Sequence, residues 1–161
     1  HCPCSNMRLA SGIAPLRNWI DEGVKVGIGV DGSSSNDSGN LLSEARQAML
    51  LQRVTLGANK FSPREALFTA TRGGAEVLNR DDIGQISIGK AADFAIYDLN
   101  KTAMSGAWSD PLAALVLCTP SETAYTICNG EIISQNGHLN NFDLNLFLEK
   151  HKAASKRLLG L

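Results

Sequence analysis

The stretch Val24-Lys25-Val26-Gly27-Ile28-Gly29-Val30-Asp31-Gly32-Ser33-Ser34-Ser35-Asn36-Asp37-Ser38-Gly39 decides the fold of this chain. Residues 24–30 are apolar and β-branched apart from Lys25 and two glycines. That is the composition of a buried strand running parallel to its neighbours. Residues 32–39 are too small and too polar to pack, and predict a loop. Upstream, residues 14–22 set Leu16, Trp19 and Ile20 at helical spacing, with Pro15 suited to a first turn and Gly23 to a stop. Downstream, residues 41–54 return to a helical pattern carrying Leu42, Ala45, Met49 and Leu50. Helix, buried strand, polar loop and helix form the repeating unit of a parallel α/β structure.

Ser62-Pro63-Arg64-Glu65 announces a further helix, with Ser62 as N-cap, Pro63 in the first turn and Glu65 reaching back to the cap. Gly73 and Gly74 weaken it before a short helical turn at residues 75–78. After Asn79 the period becomes strand-like, so the architecture breaks near residue 80. Residues 93–98 read as a strand. Residues 123–128 and 131–134 flank Asn129-Gly130, the preferred type I′ hairpin turn. Residues 143–159 read as a basic amphipathic helix with Leu144, Phe147, Leu148, Ala154 and Leu158 on one side. The order is α/β material in residues 1–80, a small β-portion in residues 81–140 and a terminal helix in residues 141–161.

A chain of 161 residues holds one compact domain, or is a piece of something larger. It opens on His1-Cys2-Pro3-Cys4 without an initiator Met, which predicts that residues once stood before it. The formal net charge of -1 gives no electrostatic case for nucleic acid or an anionic membrane as partner. With no apolar run near the roughly 20 residues that cross a bilayer, the default location is cytoplasmic. The four cysteines do not form a secreted framework and are expected as buried free thiols.

Functional side chains of parallel α/β proteins gather where a strand ends and its loop begins. Asp31 occupies that place, and from position alone ligand binding and simple chain turning fit it equally. His1, Cys2 and Cys4 are zinc-type donors, although C-x-C matches structural zinc motifs poorly and no second pair follows. The glycines of residues 27–39 suggest an anion cradle, but the order is not that of a phosphate-binding loop. His138 and His151 stand alone, which leaves no Ser-His-Asp arrangement to argue.

Three stretches carry a resemblance: His1-Cys2-Pro3-Cys4-Ser5-Asn6-Met7-Arg8-Leu9, Ser11-Gly12-Ile13-Ala14-Pro15, and residues 26–36. Together they resemble the last two barrel strands of the metal-dependent amidohydrolase superfamily, within it the branch of 8-oxoguanine deaminase and hydroxydechloroatrazine ethylaminohydrolase. Residues 83–93 resemble that family's return into its small β-sandwich, and Asn129-Gly130-Glu131 its hairpin. The resemblance implies an α/β fold: the last two strands and helices of a (β/α)8 TIM-like barrel, part of a β-sandwich and a C-terminal helix. It implies hydrolytic deamination of a purine or triazine ring, with zinc or iron activating water. In that scheme Asp31 is both metal ligand and catalytic proton relay, while His1 and Asn6 line the substrate pocket. The family's paired His-x-His, and its further His and Glu, have no counterpart here, so the chain is expected to be an inactive C-terminal segment. It would need another copy or a missing N-terminal portion, and a truncated, self-associating, non-catalytic module is the competing reading.

Overall fold

The longest buried helix shows how the sequence builds its core. In the computed structural model, which describes residues 1–120 and 122–161, α3 (Leu41–Leu56) starts where the Asn40 side chain accepts from the Leu42 and Ser43 amides. It stops at Gly57, whose φ of 119° suits glycine. Its inner face buries Ala45, Ala48 and Met49 against Leu16, Phe61, Ala66 and Val116. Leu16 comes from α2 (Leu16–Asp21), Ala66 from α4 (Pro63–Phe68) and Val116 from α6 (Pro111–Cys118). Around α4 the capping box forms as its residues predict: Ser62 Oγ accepts from the Glu65 amide, and the Glu65 carboxylate accepts from the Ser62 amide at 2.8 Å.

Residues 24–30 do not form a strand. A strand is defined by its ladder, and among the described residues this segment has a single rung: His1 N donates to Gly27 O at 2.9 Å, and Gly29 N donates to His1 O at 3.0 Å. That alternation is the parallel pattern, so the expected direction holds and the extent does not. Along the segment runs an open trough of about 590 Å³ whose lining includes His1, Trp19, Val26, Gly27 and Leu78. Val26 and Ile28, partly buried, also pack against the core.

The two glycines that weaken the helix after α4 have a packing reason. A π-helical turn (Thr69–Gly73) hands over to α5 (Gly74–Val77), and the backbone of residues 26 and 27 lies directly on it. A Cβ at Gly73 would stand 2.3 Å from Val26 O, and one at Gly27 would stand 2.8 Å from Gly74 Cα. Only glycine permits that approach.

Past residue 80, β1 (Phe94–Ile96), β2 (Tyr125–Cys128), β3 (Glu131–Gln135) and β4 (His138–Leu139) form an antiparallel sheet in the order β1-β2-β3-β4. The β2–β3 hairpin turns on Asn129 and Gly130, at φ of 50° and 84°, as a type I′ turn requires. The terminal helix α7 (Leu144–Leu159) forms, capped by Asp143, but buries no residue. Two further differences from the sequence reading concern the first residues and the thiols. Residues Pro3–Arg8 form a short helix, α1, with Pro3 in its first turn. Cys118 and Cys128 are exposed, because α6 ends at the first and the hairpin turns just after the second, while Cys2 and Cys4 are half-buried. Among the described residues no helix is long and apolar enough to cross a membrane.

Candidate active site

Asp31 sits where residues 24–30 give way to the polar loop, in a left-handed backbone conformation with φ of 62°. Asp tolerates that region better than most residues, and such positions cluster at functional sites. Its carboxylate is held by hydroxyls: Ser5 Oγ of α1 donates to Oδ2 at 2.6 Å, and Ser35 Oγ lies 3.0 Å from the same oxygen. The Ser5 hydroxyl, then the Gly32 amide and then the Ser35 hydroxyl hold the carboxyl below its ordinary range. Asp31 is therefore an exposed, ionised carboxylate at neutral pH.

The polar loop is ordered by its own residues. Asn36 is nearly buried and donates through Nδ2 to Val30 O at 2.8 Å and to Glu44 Oε1. Ser35 and Asn36 both donate their amides to Gly32 O. Arg8 pairs with Asp37 across the α1 side. With Asp31 and Asp37 on it, the loop presents carboxylates, which argues against the anion cradle that its glycines suggested.

The substrate-binding candidates lie on two different elements. His1 sits on Gly27 and Gly29 and lines the trough, with ring Nε2 buried and without a hydrogen-bond partner among the described residues. Asn6 lies on α1, next to the Ser5 that reaches Asp31. No hydrogen bond joins either side chain to Asp31 among the described residues.

The cysteine reading lacks a donor set. Burial first, and then the Glu44 carboxylate through a hydrogen bond and its charge, push the Cys4 thiol up to about 12. With no metal beside it the group is therefore a thiol at neutral pH. Among the described residues no three His, Cys, Asp or Glu side chains come together as a metal cage.

Three residues escaped the sequence reading: Ser5, Ser35 and Glu44. Ser5 and Ser35 are short hydroxyls in polar stretches and carried no signal. Glu44 had one: it lies four residues before Ala48, on the face of α3 that otherwise buries apolar groups.

Comparison with known proteins shows the family. Residues 1–133 match the model of the amidohydrolase family. The chain is 44% identical over 160 residues to an 8-oxoguanine deaminase of Pseudomonas aeruginosa, covering 99% of this chain and 35% of that protein. It is 35% identical over 152 residues to a hydroxydechloroatrazine ethylaminohydrolase of a Pseudomonas species, covering 89% of this chain and 31% of that protein. Among solved structures, an atrazine chlorohydrolase of Arthrobacter aurescens complexed with zinc superposes with a TM-score of 0.88 at 35% identity, over 95% of this chain and 34% of that one. An adenosine deaminase of Xanthomonas campestris with bound zinc gives 0.92 at 28% identity, over 100% and 37%. The chain thus spans about a third of the length of the proteins it matches. Family match and structural likeness lead to one assignment: this chain belongs to the amidohydrolase family.

Proposed function

We propose that this chain is the C-terminal part, inactive by itself, of a metal-dependent hydrolase that removes an amine from a purine-like or triazine-like ring. The observation that carries the reading is the Asp31 carboxylate, held ionised by Ser5 and Ser35 at the head of the loop. Relatives named as deaminases of oxidised purines, adenosine derivatives and pterins support the substrate class. Residues 1–80 would belong to the barrel, residues 81–140 to the β-sandwich and residues 141–161 to the terminal helix.

Zinc or iron is the metal this reading implies, and the residues of this chain do not make its site. Asp31 offers one hard anionic ligand, where three protein ligands are a usual minimum. No step through a metal is therefore assigned to this chain. What its residues do is narrower. Asp31 would supply one ligand of the completed centre and accept the proton of the attacking water, then pass it to the leaving amine as the C–N bond breaks and ammonia departs. His1 and Asn6 would line the pocket holding the ring.

The test is made on the protein with its remaining ligands present, assayed with 8-oxoguanine and a hydroxytriazine. Asp31→Asn keeps the shape and both oxygen-side contacts but loses the charge, and should lower kcat by about 10³-fold. Less than tenfold loss would remove Asp31 from the chemistry. The 161-residue chain alone should hold no stoichiometric transition metal and turn over neither substrate. If it does both, its site is complete and this reading is wrong.

A further inference from the structure

Glu44 is the one carboxylate of this chain that is fully buried, at 0% exposure, among the described residues. It takes part in no salt bridge there. An unpaired buried charge is costly unless hydrogen bonds compensate it, and an apolar residue of like volume would be as stable or more so. What compensates Glu44 comes from the two segments that make the site. Oε2 accepts from the Cys4 amide at 2.9 Å, a first-turn N–H of α1 that has no intrahelical partner. Cys2, at the N-cap of that helix, offers it no side-chain acceptor, so α3 caps α1 from 40 residues away. Oε1 accepts from Asn36 Nδ2, the same nitrogen that holds Val30 O.

From Glu44 the connections lead straight to the site. The next residue after Cys4 is Ser5, only 2% exposed, whose hydroxyl meets Asp31 Oδ2 at 2.6 Å. The next residue after Val30 is Asp31. One buried carboxylate therefore holds both partners of that contact, Ser5 through Cys4 and Asp31 through Asn36 and Val30.

We propose that Glu44 is a positioning residue: it locks the start of α1 to the Asp31 loop so that the Ser5 hydroxyl meets the Asp31 carboxylate. This deepens the reading of Asp31 given above and rests on it for its functional meaning. Glu44 touches neither Asp31 nor any reacting group, and acts by holding two backbones in register.

Amide hydrogen exchange in the full chain, with no metal or substrate added, tests this against a merely structural role. Glu44→Leu keeps the volume and removes the charge. Its residues 4–6 and 32–36 should exchange about tenfold faster, while the interior of α3 and the β2–β3 hairpin stay at wild-type rates and the melting temperature holds or rises. Glu44→Gln keeps one acceptor oxygen and should fall between wild type and Glu44→Leu, a partial rescue that a packing role would not give. Exchange within about twofold of wild type at residues 4–6 and 32–36 overturns the proposal. So does faster exchange spread through α3 and the sheet, which would make Glu44 a stability residue only. Asn36→Ala, which leaves the buried charge in place, should loosen residues 32–36 and spare residues 4–6; loosening of neither segment also overturns it. Because nothing is loaded or turned over, a failed deamination assay leaves this result standing, and a failed exchange result leaves Asp31 as a candidate ligand.

Discussion

The helices α3 and α7 are each 16 residues long, each capped by an Asn or Asp side chain and each amphipathic by sequence. Yet α3 buries Leu42, Glu44, Ala45, Ala48, Met49, Leu51 and Gln52, while α7 buries nothing. The difference lies in what surrounds them. The apolar face of α3 is met by α2, α4 and α6 within the chain. That of α7 leaves Leu144, Phe147 and Leu148 between 40% and 49% exposed. An apolar stripe states that a helix face needs cover, and says nothing about whether the cover lies within the same 161 residues.

The comparison breaks most sharply under core truncation. Phe61 is fully buried against α3, and Phe61→Ala should cost about 3–5 kcal/mol by cavity formation, read from denaturant melts at constant m-value. A loss under about 1 kcal/mol would mean that the α3 core relaxes freely.

Thiol reactivity sharpens it next, since Cys4 lies beside α3 and Cys128 on the exposed sheet. At pH 8 iodoacetamide should modify Cys118 and Cys128 and leave Cys4 slower by about a thousandfold, the thiolate fraction implied by a rise of roughly three units. The sign for stability follows from the same shift. Because the folded thiol titrates above its ordinary 9.0, its contribution is complete below pH 9 and is lost as the pH rises toward about 12. Equal alkylation of all four cysteines in the folded chain would show that neither burial nor Glu44 protects Cys4.

Cap removal should act more mildly. Ser62→Ala deletes one half of the α4 capping box and should cost about 1 kcal/mol. Asp143→Ala removes the acceptor of the Leu146 amide from α7, a helix that no tertiary packing supports. It should change the global melt little and lower far-ultraviolet helicity instead. A global cost equal to that of Ser62→Ala would place α7 within the cooperative unit.

These contrasts follow what the sequence makes legible. The Ser62 to Glu65 box and the Asn129-Gly130 turn are local, set by residues within three positions of one another, and both form as their chemistry predicts. Asp31 stands out in the sequence as an acid at the head of a polar loop, and the family resemblance implies a role for it. What sequence hid is non-local. A strand over residues 24–30 needs neighbours to ladder with, and among the described residues only His1 supplies a rung. Gly73 and Gly74 read as helix-weakening until the backbone at Val26 and Gly27 is laid against them. The start of α1 has no cap signal in its own sequence, because its amide is capped from α3 rather than from Cys2. For α6, the run Leu112 to Leu117 is apolar on every side and so has no period to detect. Ser5 and Glu44 gain meaning only from a 2.6 Å and a 2.9 Å contact with residues 26 and 40 positions away.

The smallest effect is expected on α7 itself. Phe147 packs tilted against Phe142 and stacks on His151, at centroid distances of 5.4 and 6.1 Å, a local aromatic group on an otherwise uncovered face. Phe147→Ser removes that group but opens no cavity, so the melt should move by no more than about 0.5 kcal/mol. Apolar area on an exposed helix also favours association, so the same substitution should raise the concentration at which the chain stays monomeric in sedimentation. If Phe147→Ser instead costs as much as about 2 kcal/mol, its face is covered in solution and α7 behaves like α3. The two helices would then differ only in where their cover comes from, another molecule for α7 and the same chain for α3.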